Sequence, residues 1–130
     1  MSYTHILVAV DLSDSSKTVI DKAISQATDP NCKLSFVYVD VDRVVLEPKE
    51  EEEYNRKLQA LASECKYSVS DTMVVIGDLH IKLQGLVKQQ GIDLVVCGHH
   101  HNLLSRFFSS VPKLANSVEA DLLVVYLHDE

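Results

Sequence analysis

The stretch Val95-Val96-Cys97-Gly98-His99-His100-His101-Asn102 is an apolar run that breaks into polar residues. A nucleotide-binding α/β fold places its phosphate cradle at such a break. The cradle works because backbone amides approach the anion closely, and glycines permit that approach. Here only Gly98 is available, three imidazoles follow it, and the whole chain has 4 glycines. The expected turn, Gly98–His101, keeps the position of a phosphate site while its cradle is lost.

Three consecutive histidines also invite a metal reading. Adjacent side chains do not easily converge on one tetrahedral ion, and no Cys or Glu follows at zinc-finger or HExxH spacing. A surface turn without metal is expected. One of the three could serve as a general base, since imidazole chemistry lies near neutral pH, yet no nucleophile or polarised group accompanies it. Asp11 ends the first apolar run. It could accept ribose hydroxyls or help hold a divalent ion, or it could bond the amides of its own turn. Ser109-Ser110 falls at an expected helix start, where hydroxyls cap more often than they react. Phe107-Phe108 reads as a core or interface anchor, with partner docking as the alternative. There is no GxSxG, Walker A, dinucleotide fingerprint or kinase motif.

These residues need elements to position them, and the hydrophobic pattern supplies an alternation of strands and helices. Strands are expected at Ile6–Val10, Leu34–Val39, Thr72–Ile76, Ile92–Cys97 and Leu122–Leu127, each nearly continuous in apolar residues. The first helix, capped by Ser13 or Asp14, buries Val19, Ile20, Ala23, Ile24 and Ala27. The second opens at Pro48 with the acidic run Glu50–Glu53, which suits the positive end of a helix, and carries Tyr54, Leu58, Leu61 and Cys65 on one face. A third, capped by Asp78, turns Leu79, Leu83, Leu86 and Val87 inward and stops at Gly91. The last starts near Ser109 or Ser110, tolerates Pro112 in its first turn, and buries Val111, Leu114, Ala115 and Val118. Apolar strands with helices between them mean a mostly parallel sheet covered on both faces. Ligands then bind beyond the carboxyl ends of the strands, where strand order reverses. That puts Asp11, Asp40 to Asp42, Gly77-Asp78 and Gly98–His101 in one crevice.

Size and charge narrow the partners. The chain has 130 residues, one domain's length, with 19 acidic and 12 basic side chains and a net charge of -7. Long-range attraction to nucleic acid or an anionic membrane has no support. The three cysteines, Cys32, Cys65 and Cys97, fit no CxxC pattern, and Cys97 reads as a small buried hydrophobe. With no signal peptide and no spanning stretch expected, the cytoplasm is the expected compartment.

The run His5-Ile6-Leu7-Val8-Ala9-Val10-Asp11-Leu12-Ser13, the central Gly77-Asp78-Leu79 and the segment Asp93–His100 together resemble the universal stress protein family. Ser105-Arg106-Phe107-Phe108-Ser109-Ser110 and Asp121–Val125 continue the likeness, which spans essentially the whole chain. Cys-Gly-His-His at 97–100 and the short following loop are similar to the family's universal stress protein A branch. The resemblance implies a five-stranded parallel sheet of order 3-2-1-4-5 with helices on both faces, forming a single domain over residues 1–130. It also implies a nucleotide site. The family's ATP-binding members carry an Asp after the first strand, a glycine, a second glycine three residues later, and then a Gly-Ser or Gly-Thr pair. Asp11 and Gly98 match the first two elements; the second glycine falls on His101, and the final pair becomes Ser109-Ser110. Asp11, Gly98, Ser109 and Ser110 are therefore expected as a vestigial nucleotide site, in a branch not expected to bind ATP.

The resulting expectation is a cytoplasmic stress-response protein that acts by homodimerisation and interaction, with no cofactor and no catalytic residue. Its dimer is expected to join through Asp121–Leu127, an apolar edge strand, as family resemblance also implies. Other protein partners stay open; nucleic acid and membrane are not expected. Two alternatives stand beside it: a stress sensor that binds ATP or AMP, and a slow Mg-dependent nucleotide phosphohydrolase using Asp11 for the ion and Ser109-Ser110 for phosphate.

Overall fold

A computed structural model of the chain describes residues 2–10, 12, 15–40, 47–76, 79–100 and 119–127. Among the described residues five strands and three helices follow in the order β1 (His5–Val10), α1 (Ser16–Gln26), β2 (Lys33–Asp40), α2 (Pro48–Glu64), β3 (Val69–Ile76), α3 (Leu79–Gln90), β4 (Leu94–His100) and β5 (Asp121–Leu127). The expected helix after Ser109 lies outside the described residues. All four strand pairings are parallel, and the order is β3-β2-β1-β4-β5. This is the order that the family resemblance implies. The order in which strands are added reverses between β1 and β4, and a sheet of this kind binds ligands beyond the carboxyl ends there, past Val10 and His100.

The alternation of side chains along each strand divides the core in two. Ile6, Val8, Val10, Leu34, Phe36, Leu94 and Val96 pack with Val19, Ile20 and Ala23 of α1 and Leu58 of α2. Leu7, Ala9, Val37, Val95 and Cys97 pack on the opposite face with Leu83 and Val87 of α3. Both faces of β1 are thus covered, which is why six successive residues from His5 to Val10 are all buried.

Local signals set the helix ends. Ser15, rather than Ser13 or Asp14, stands at the N-cap of α1. Its side chain makes no capping bond, and its carbonyl instead accepts the amides of Thr18 and Val19 at 3.1 and 3.3 Å. Ser13 and Asp14 are outside the described residues. Pro48 opens α2 with Glu50 and Glu51 in its first turn. Helix α3 ends at Gly91, whose φ of 64° takes the left-handed conformation that lets the Ile92 amide reach back to the Val87 carbonyl at 3.2 Å. The proposed cap of this helix, Asp78, is outside the described residues.

Strand ends were the least legible from sequence. Strand β4 continues to His100, so Gly98 and His99 stand in the sheet opposite Val125 and Tyr126, and the expected Gly98–His101 turn does not begin at Gly98. The neighbouring β5 supplies ladder partners as far as Leu127, and that pairing overrides the local signal of a glycine followed by polar residues. Strand β3 also begins three residues before its expected start, at Val69.

Candidate functional site

A crevice is expected beyond the carboxyl ends of the strands. Of its four expected site residues, Gly98 is placed: it is buried within β4, paired with Val125. Asp11, Ser109 and Ser110 lie outside the described residues, as do His101 and the Gly77-Asp78 pair. Leu12, one residue past Asp11, has a φ of 65°. A branched side chain in the left-handed region carries strain, and such strain concentrates where a backbone path is fixed by function. Leu12 is held there by packing, because its side chain lies against the cluster formed with α1 and α2.

Next to it on the same face, Tyr38 near the end of β2 meets Tyr54 of α2, ring centroids 4.7 Å apart and planes tilted by 43°. Tyr38 stands opposite Val10 in the β1–β2 register, which places the aromatic pair level with the carboxyl end of β1. The centroid separation lies within the range over which aromatic pairs attract. Residue spacing offers no hint of this pair, because the two rings come from different elements.

A denser polar network sits at the opposite, amino end of the sheet. The Asp93 carboxylate accepts the backbone amide of Thr4 at 2.8 Å, the Thr4 hydroxyl at 3.1 Å and the His5 amide at 3.0 Å. Burial alone would raise its pKa, but those hydrogen bonds outweigh it and hold the carboxyl below its ordinary value. The backbone of Asp93 joins the same knot, its amide donating to His5 and its carbonyl accepting from Asp121. Tyr3 closes the outer side by donating its hydroxyl to the Asp121 carboxylate at 2.7 Å. That bond and the nearby carboxylates raise the Tyr3 pKa.

His5 is buried within this network. Its Nδ1 lies 3.2 Å from the Gln90 carbonyl, which can only accept, so Nδ1 carries a proton. Its Nε2 lies 2.8 Å from the Ser35 hydroxyl, within hydrogen-bond distance. A serine, a histidine and an orienting carbonyl in line have the form of an activated nucleophile. Ser35, however, has no exposed surface, so no substrate reaches it. The trio fastens β1, β2 and the end of α3 together. Thr4, His5, Asp29, Cys32, Lys33 and Gln90 line a recess of about 310 Å³ over it. Sequence reasoning passed over His5 and Ser35; the available signal was a polar residue within or at the start of an otherwise apolar strand.

Cys97 is fully buried, and burial pushes its thiol up to about 12. This is the chemistry of a small hydrophobe, as its sequence context suggests. Among the described residues, no three His, Cys, Asp or Glu side chains are grouped to hold a metal ion, and no helix is long and apolar enough to cross a membrane.

Comparison with known proteins agrees with this architecture. The family model described as the universal stress protein family matches residues 2–126. Universal stress protein A of Photorhabdus laumondii is 39% identical over 142 aligned positions, covering 100% of this chain and 99% of that protein. The alignment is longer than this chain, so that relative carries residues with no counterpart here. Among solved structures, the hypothetical protein MJ0577 superposes with a TM-score of 0.80 at 19% identity over 100% of both chains. A universal stress protein in complex with cAMP superposes with a TM-score of 0.70 at 25% identity, covering 96% of this chain and 98% of that one.

Proposed function

This chain belongs to the universal stress protein family and has a role in the stress response, and from that premise we propose that it works there as a cytoplasmic homodimer, an interaction or regulatory module that does not hold ATP. The observation that carries the reading is the make-up of residues 98–101. The single glycine is engaged in the β4–β5 ladder, and three side-chain-bearing residues follow it where close backbone approach to a polyphosphate is needed. Ser109 and Ser110 replace the glycine-containing pair that completes the cradle in ATP-binding relatives. What remains offers hydroxyls and amides enough for one phosphate at most.

The β5 edge supports the dimer. Its residues after Asp121 are apolar or aromatic, and among the described residues only β4 pairs with it, on one side. An uncovered apolar edge pairs with another strand unless something blocks it. Two copies related by a two-fold axis satisfy each other's edge amides and carbonyls. Val125 is buried within the single chain, so its substitution would test folding rather than assembly. The half-buried Val124, at the middle of β5, is the better probe. Light scattering over a dilution series is expected to give a dimer for the natural chain and a folded monomer for Val124→Lys. A natural chain that stays monomeric at high micromolar concentration would remove the dimer from this account.

One observation favours a second reading, a sensor of nucleoside monophosphates. The relative in complex with cAMP shares 25% identity, and cAMP carries a single phosphate. Binding of AMP or cAMP without binding of ATP would establish it.

A further inference from the structure

The sheet has two outer strands, and their edges differ. β5 pairs with β4 at seven successive positions, from Leu94 with Asp121 to His100 with Leu127, without a break. β3 does not pair so evenly with β2. Leu34 stands opposite Val69 and Ser35 opposite Asp71, so Ser70 has no partner position in β2. Ser70 and Asp71 are both exposed. The Asp71 carboxylate folds along its own strand and accepts the Thr72 amide at 2.9 Å.

Each feature works against a further strand. An extra residue bends and twists the strand, which breaks the regular spacing of donors and acceptors along its edge. A carboxylate at that edge must lose water before another strand can approach.

Dimer geometry makes this edge consequential. Two copies joined through β5 form one sheet of ten strands whose two free edges are both β3. If those edges paired as readily as β5, each dimer would join two others and the sheet would grow without closing. We propose that the Ser70 bulge and Asp71 close the β3 edge to strand pairing, so that assembly of this chain stops at two. The proposal rests on the β5 dimer of the preceding section.

The test compares the natural chain with two variants, Asp71→Thr and Asp71→Thr combined with deletion of Ser70, by size-exclusion chromatography with light scattering from low to high micromolar concentration. Far-UV circular dichroism and thermal unfolding establish that each is folded. The natural chain is expected to hold the mass of a dimer throughout, and the deletion variant to rise with concentration to twice that mass and beyond. Asp71→Thr leaves the register intact and carries the test alone should the deletion variant fail to fold; it too is expected to pass the dimer mass. Folded variants that never exceed the natural chain's mass would overturn the proposal. A monomeric natural chain would refute the β5 dimer instead, and the β3 inference would then stand only if the variants associate where the natural chain does not.

Discussion

Asp93 Oδ1 accepts the backbone amide of His5 at 3.0 Å, which ties the start of β4 to the start of β1 across 88 positions of sequence. Its other oxygen takes the Thr4 amide and hydroxyl. One carboxylate therefore fixes the register of the two central strands and the path of the chain leading into them.

Asp93→Ala is expected to destabilise the protein by about 2–3 kcal/mol at neutral pH, the scale of losing charge-assisted hydrogen bonds and leaving amides unpaired. The folded carboxyl has a pKa below its ordinary value of 3.8. Its contribution is therefore complete above pH 3.8 and declines as pH falls through the lower folded value. Urea unfolding of both proteins from neutral to acid pH checks this, with the gap between them narrowing in acid.

Leu12 supplies a second test. Replacing it by Ala or by Gly removes the same packing against the α1–α2 face, but only Gly accepts a φ of 65° without strain. Leu12→Gly is expected to be more stable than Leu12→Ala by about 1 kcal/mol, measured by denaturant unfolding. An Ala variant as stable as the Gly variant would show that the left-handed backbone is not maintained.

Two glycines should respond to Ala with opposite signs. A Cβ at Gly85 meets nothing within 4 Å inside α3, and neither does one at Gly91, but Gly91 has a φ of 64°. Gly85→Ala is expected to stabilise by about 0.5–1 kcal/mol through helix propensity. Gly91→Ala is expected to destabilise by about 1 kcal/mol through backbone strain alone. Thermal unfolding of the pair distinguishes them.

The order in which the thiols react follows their burial. Cys65 is half-buried, Cys32 is 4% exposed, and Cys97 is fully covered with its pKa near 12. Burial, the neighbouring Asp93 and Asp29 also raise the Cys32 thiol. Iodoacetamide at neutral pH should label Cys65 first, Cys32 slowly, and Cys97 only after denaturation, as read by peptide mass spectrometry.

The sheet was legible because period and composition agree along each strand: Ile6–Val10 and Leu94–Cys97 are apolar on both faces, which only a covered parallel strand requires. Gly91 announced its helix end for an equally local reason. What escaped was decided across the chain. The extension of β4 through Gly98 depends on β5, the Ser70 bulge depends on β2, and the knot of Asp93, His5 and Ser35 joins three strands that no local window contains together. As for the candidate site, Gly98 is placed in the sheet, and the reading of Asp11, Ser109 and Ser110 remains the one their sequence pattern supports.

Isothermal titration calorimetry with ATP, AMP and cAMP, each with Mg²⁺, decides whether the chain holds ATP. The make-up of residues 98–101 predicts no ATP binding at millimolar nucleotide and no shift of the thermal transition. A dissociation constant for ATP below about 100 µM, with the matching stabilisation of about 1.4 kcal/mol at about 1 mM ligand, would contradict it.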